Sequence, residues 1–403
     1  MKKRRIYLDY ASATPIHAAV QRAILKAMRI FPGNPSATHE EGRTAKAAVE
    51  SARQTIARSL SVKPEELLFT SGGTESNNMA IRGVVEGLRR RGLTYQDLHV
   101  VSTSIEHSSV LETLHMLQRE GVAVTLVDPE PSGMVSVEHI IAAIRPNTAL
   151  LTVSHVNSEI GTVQPITAIG VALMKLGQKS SSLSRAAPET RFPVLHVDAA
   201  QSSLYLDAGP HTLRADVVSY DAQKILGPKG LGVLFRDFSV PLAPITGGGS
   251  QERGIRPGTE NVAGIVGTAI AFQLAKDGRA ARAKKVAALR DELIQRVVKA
   301  LPNASLTGSA KRRIANNAHF TIPGVDGDYL TILMDTEGIA VSPRSACSGS
   351  GGAWSHVVHA LTHDDALARN TIRFSLGPTT TKKDIENAVS ALVRSVHRMR
   401  LQS

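Results

Sequence analysis

Along residues 16–236 apolar and polar positions follow two alternating rhythms. His17–Arg29, Gly42–Leu60, Thr74–Arg91, Val110–Glu120 and Ser136–Ile144 carry apolar residues three and four apart, which predicts amphipathic helices. Between them lie short apolar or β-branched runs: Leu67–Phe69, Leu98–Ser102, Ala123–Val127, Ala149–Ser154, Val194–Val197, Val217–Ser219 and Gly232–Phe235. Short apolar runs separated by helices predict βαβ units around a mostly parallel sheet buried on both faces, so the fold class is α/β. After Gly247-Gly248-Gly249 and Pro257-Gly258 the pattern changes. An Ala-rich helical region from Val262 to Ala300 is followed by strand candidates His319–Ile322 and Thr371–Ser375 and a helix from Lys382 to about Met399. That reads as a second, smaller α+β unit. Gly177–Thr190 reads as a surface loop, and no internal repeat is present.

The composition, 42% hydrophobic and 20% charged over 403 residues, excludes a chain disordered over most of its length. The formal charge of +12 favours contact with anions or acidic partners and carries no information about fold. Its two densest runs, Lys2–Arg5 and Arg89–Arg91, read first as solvated charge and only second as a nucleic-acid patch. Neither a secretory h-region nor a membrane-length apolar run follows Lys2–Arg5, so a cytoplasmic protein outside the membrane is expected. The single cysteine rules out an intrachain disulfide and any all-cysteine metal cage, and no metal site is expected.

Four segments carry candidate chemistry. Lys224 follows a strand and precedes the turn Gly227-Pro228-Lys229-Gly230, while Asp198 lies at the end of the preceding predicted strand. A lysine and a carboxylate at neighbouring strand ends suit a Schiff base and a protonated pyridine nitrogen; alternatively Lys224 is solvated charge and Asp198 a helix cap. Thr70-Ser71-Gly72-Gly73-Thr74-Glu75 joins a strand to a helix, and small residues there open a helix N-terminus to an anion, or form an ordinary capped turn. Glu106-His107 occupies a similar junction, where the imidazole either moves protons or is a satisfied structural histidine. Ser345-Ala346-Cys347-Ser348-Gly349 surrounds the lone thiol with small residues that build no core, as an exposed reactive loop needs; a buried inert thiol is the other reading.

The chain resembles the cysteine desulfurases, pyridoxal-phosphate (PLP) enzymes of fold type I, in ordered motifs over nearly its whole length. They are Leu8-Asp9-Tyr10, Gly33-Asn34-Pro35-Ser36, Thr70–Glu75, Glu106-His107, Asn157-Ser158-Glu159-Ile160-Gly161, His196–Gln201, Lys224 with Gly227–Gly230, Gly247–Gly254, Arg256-Pro257-Gly258-Thr259, Ser345-Ala346-Cys347 and Ile372–Gly377. The cysteine context is similar to the nitrogen-fixation and iron–sulfur-cluster group. The resemblance implies a large domain over 14–263 with a mostly parallel seven-stranded sheet. Residues 1–13 and 264–403 are then the small α+β domain, with a mobile cysteine loop at about 342–354. It implies PLP on Lys224, Asp198 at the ring nitrogen, Gln201 at the ring oxygen, and His107 stacked on the ring for acid–base steps. Gly73, Thr74, Asp221 and Gln223 fall around the phosphate, with Thr259 reaching that of a neighbouring subunit in a homodimer. Arg373, with Asn34 and Asn157, binds the carboxylate of L-cysteine; Cys347 takes the sulfur as a persulfide and passes it to an iron–sulfur scaffold or tRNA-thiolation enzyme. Direct nucleic-acid binding is not expected. Selenocysteine lyase, small-amino-acid aminotransferase and a non-catalytic binding protein are the competing readings.

Three positions depart from the family pattern. Asp221 and Gln223 stand where serine and histidine usually donate to the phosphate, and Ser158 replaces a second asparagine. A carboxylate about 4 Å from a phosphate costs roughly 4 kcal/mol at an effective dielectric of 20, so either other groups compensate or the cofactor binds more weakly.

Overall fold

The computed structural model describes residues 5–176, 182–344 and 354–401. Twelve strands occur among them: β1 Ile6–Tyr7, β2 Leu67–Thr70, β3 His99–Thr103, β4 Ala123–Val127, β5 Thr148–Ser154, β6 Val194–Asp198, β7 Val217–Asp221, β8 Gly232–Arg236, β9 Ser305–Leu306, β10 Asn317–Thr321, β11 Ile339–Ala340 and β12 Thr371–Ser375. Seven build the main sheet in the order β2-β8-β7-β6-β5-β3-β4. Only β8 runs against its neighbours. The short turn Gly227–Gly230 explains this, because a parallel return needs a long crossover and Gly230 supplies the positive φ of +74° that a tight reversal requires.

The pleat sorts apolar side chains onto two faces. Phe69, Val101, Leu151, Leu195, Val218 and Val233 enter one core, while their chain neighbours Leu68, Val100, Leu150, Val194, Val217 and Leu234 enter the other. Burial of each such side chain contributes about 1.5–3 kcal/mol, so this alternation fixes the register. Helices α3 (Gly73–Arg89) and α4 (Ser108–Glu120) supply Ile81, Val84, Leu88, Val110, Leu114 and Leu117 to the second core. Helices α1 (Ala18–Ile30) and α2 (Glu40–Leu60) cover the other face.

The Ala-rich region is two helices, Val262–Asp277 and Arg279–Ala300, separated at Gly278. The first packs on α1 and α2, and Gly267 permits this because a Cβ there would lie 2.5 Å from Ile24. The chain thus leaves the main sheet's side near Gly278. The second helix lies on the small antiparallel sheet β12-β10-β9, and Lys382–Arg400 packs against that helix. The N-terminal segment joins this part: β1 pairs with β11, and Asp9 bridges to Ser375. The helix Ile166–Leu176 lies outside the expected elements, as its mostly apolar sequence lacks a polar stripe. Part of the expected 177–190 loop is helical, at Ser182–Ala186.

Candidate active site

Parallel strands β2, β3, β5, β6 and β7 end on one edge of the main sheet, and the residues following them line a cavity of about 150 Å³. Gly73, Thr74, His107, Asn157, Asp198, Gln201, Asp221, Gln223, Lys224 and Arg373 all contribute to its wall.

At one end, β2 turns through Gly72 (φ +147°) into the first turn of α3, and the leading N–H groups form an anion seat. A Cβ on Gly73 would sit 3.4 Å from the Asp221 carboxylate. Asp221 caps the single turn Ala222–Lys224: it accepts from the Gln223 backbone N–H at 3.1 Å and from Gln223 Nε2 at 2.9 Å. Each carboxylate oxygen therefore has a donor from Gln223, which offsets part of the repulsion expected from the sequence. Lys224 closes that turn and donates from Nζ to the carbonyls of Ala11 (2.7 Å) and Ser12.

In the middle of the cavity, Asp198 Oδ1 accepts from Ala200 N–H (2.9 Å) and Oδ2 from Asn77 Nδ2 (2.8 Å). Gln201 donates to Ala11 O at 2.9 Å. His107 caps α4, its Nδ1 accepting from Ser109 N–H at 3.1 Å. Beneath it Glu106, 1% exposed, accepts from Thr103 Oγ1 (2.7 Å) and from Ser154 N–H (2.9 Å), tying β3 to β5. Burial, with Asp198 nearby, pushes the Glu106 carboxyl up to about 7.

The far end comes from the two ends of the chain. Arg373 on β12 is 1% exposed; its Nη1 donates to Ser158 O (2.9 Å), and Nη2 to Asp9 Oδ1 (3.0 Å) and Ser12 Oγ (2.7 Å). Among the described residues its Nε is buried without a protein partner, as are Asn77 Oδ1 and Ser154 Oγ. These are polar atoms that a polar ligand in the cavity would satisfy.

Two expected residues are not brought to this cavity by the chain. Asn34 accepts from Ser36 N–H (2.9 Å) in the loop before α2, and Thr259 lines a separate pocket with Ser71 and Arg256. Asn157 is in the wall, yet its amide mainly shapes its own loop, accepting from Glu159 and Ile160 N–H and donating to Ile105 O. Cys347 lies outside the described residues. Sequence reasoning missed Ser12, Asn77, Ser109 and Ser154; Ser12 and Ser154 show no chemistry as isolated serines, and Asn77 lies just beyond the Thr70–Glu75 motif without a visible task.

The class-V aminotransferase profile matches residues 6–388. The chain is 37% identical over 398 residues to the "Cysteine desulfurase IscS" of Dictyoglomus turgidum, covering 99% of this chain and 96% of that protein. It is also 37% identical over 406 residues to the protein of that name from Aeromonas salmonicida, at 100% and 95% coverage. Among solved structures, a NifS-like protein superposes with a TM-score of 0.86 at 30% identity, covering 98% and 100% of the two chains. The structure described as SspA in complex with cysteine gives 0.77 at 32% identity, covering 93% and 100%. A fold-type-I α/β chain with a lysine and a carboxylate at adjacent strand ends defines a PLP-dependent class, and this chain belongs to the class-V aminotransferase family. Within that family it is a NifS/IscS-like member. No helix among the described residues is long and apolar enough to cross a membrane.

Proposed function

We propose that this chain is a PLP-dependent cysteine desulfurase, in which Cys347 takes sulfur from L-cysteine and the carbon skeleton leaves as L-alanine. The carrying observation is a single cavity that joins Lys224 and Asp198 to a helix N-terminus at one end and the buried Arg373 at the other. The side chains fit the cofactor: an amine for its aldehyde, a carboxylate for its pyridinium, N–H groups for its phosphate. PLP, when bound, supplies an electron sink that weakens bonds around the amino acid's α-carbon.

The protein's part follows from its own contacts. Ala11 O and Ser12 O aim the Lys224 amine into the cavity. Arg373, its planar fork held in one orientation by Ser158, Asp9 and Ser12, offers its charge and its remaining N–H groups to the substrate carboxylate. His107 and Lys224 hold and move protons beside the reacting carbons. The Cys347 thiolate attacks the substrate sulfur; the C–S bond breaks, an S–S bond forms, and the carbon gains a proton. The persulfide then goes to an iron–sulfur scaffold or tRNA-thiolation protein. The enzyme acts in the cytoplasm as a homodimer, with Thr259 reaching the phosphate of the neighbouring subunit's site, and its small domain comprises residues 1–13 and the chain after the main sheet.

Incubation with L-cysteine should yield alanine and one added sulfur on Cys347 by mass spectrometry. Keto-acid-dependent turnover that survives Cys347→Ala would instead make the protein an aminotransferase.

A further inference from the structure

Behind the cavity, one side-chain amide stands between two groups of the proposed machinery. Asn77, 1% exposed on α3, donates from Nδ2 both to Asp198 Oδ2 (2.8 Å) and to Ser109 Oγ (2.9 Å). Ser109 Oγ in turn lies 2.8 Å from His107 Nδ1. The donor directions along this chain are settled by chemistry. An ionised carboxylate only accepts, so Asn77 must present its NH₂ there, and Ser109 Oγ then accepts from the same NH₂. The serine proton is left for His107 Nδ1, which also accepts the Ser109 backbone N–H at 3.1 Å. With two donors on Nδ1, neutral His107 carries its proton on Nε2.

The orphaned Asn77 Oδ1 supports this orientation. Turning the amide over would set that oxygen against the Asp198 carboxylate, so it stays unpaired in this orientation. The amide thus serves its two acceptors at the expense of its own oxygen.

We propose that Asn77, acting through Ser109, is a positioning residue that sets the His107 tautomer and the Asp198 orientation together, coupling the proton carrier to the carboxylate. The inference rests on the roles given to His107 and Asp198 above, but its test does not depend on turnover.

The experiment is ¹⁵N NMR of the histidine-labelled holoenzyme, with folding checked by circular dichroism. The wild-type His107 should show the Nε2–H pattern. Ser109→Ala removes only the hydroxyl arm and should give a mixed tautomer signal with a shifted titration midpoint, and Ser109→Thr should restore both. Asn77→Ala should produce the His107 change and also displace the pH titration of the cofactor absorbance, which Ser109→Ala leaves in place. Turnover in Ser109→Ala should fall about tenfold in kcat with KM nearly unchanged, a fraction of the 10²–10⁴-fold that positioned proton transfer supplies. Unchanged His107 shifts in a folded Ser109→Ala protein would overturn the proposal. Shifts that respond as described in a protein without desulfurase activity would leave it standing and remove the proposed function instead.

Discussion

The two walls of the cavity are built differently. On the sheet side, Asp198, Asp221, Glu106 and His107 are held by side chains and N–H groups of their own or neighbouring strand ends. On the opposite side, Arg373 is steered by Asp9 and Ser12, and Ser12 with Ala11 also holds Lys224 of the sheet side, each partner more than 200 positions away in the chain. The first wall is local and assembled by the βα junctions. The second exists only when the chain's two ends meet. Under the proposed function, cofactor seating therefore depends on the sheet, and substrate orientation on closure of the N-terminal segment over β12.

Mutation can break that division of labour. The largest effect is expected for Lys224→Ala, which removes the group both walls share; turnover should fall by at least the roughly 10²–10⁴-fold typical of a positioned proton carrier, measured as alanine released. Next, Arg373→Lys keeps the charge but loses the fork. With each lost charge-assisted hydrogen bond worth about 1.5–3 kcal/mol, KM for L-cysteine should rise about ten- to a hundredfold while PLP affinity holds. Equal loss of PLP affinity would erase the distinction between the walls.

Glu106 tests how the sheet wall is held. Its folded-state value of about 7 lies above the ordinary 4.5, so its stabilising contribution is full below pH 4.5 and lost as pH rises through 7. Between about pH 4 and pH 8 the unfolding free energy of Glu106→Gln should gain about 3 kcal/mol relative to wild type, measured by denaturant titration. Buried His99 and His196, both lowered to about 4 by desolvation, act oppositely and lose stability as pH falls below 6.5. The smallest effect belongs to Asp221→Ser. Because Gln223 already donates to both carboxylate oxygens, PLP affinity of the apoenzyme should improve only about threefold, far below the roughly 4 kcal/mol of an uncompensated like-charge pair. A hundredfold gain would mean that Gln223 does not shield the phosphate.

The sheet wall was largely legible in the sequence because its signals are short-range. Short continuous apolar runs located the main strands, and Gly72-Gly73, His107, Asp198 and Lys224 each fall just beyond one of them. The closing wall was not. β1, β9 and β11 are two residues long and leave no periodicity. Ser12 reads as one polar residue among many until β12 brings Arg373 against it. Asp221 misled in the other direction, as its charge is visible in sequence and the Gln223 contacts that occupy it are not.

The link between Arg373 and Asp9 also orders events during synthesis. Every strand of the main sheet, and Lys224, leaves the ribosome well before β12, and domains fold in the order in which they emerge. A nascent chain can thus complete its cofactor seat while the carboxylate clamp is still unmade. Under the proposed function, translation itself would separate loading of the cofactor from the first encounter with substrate.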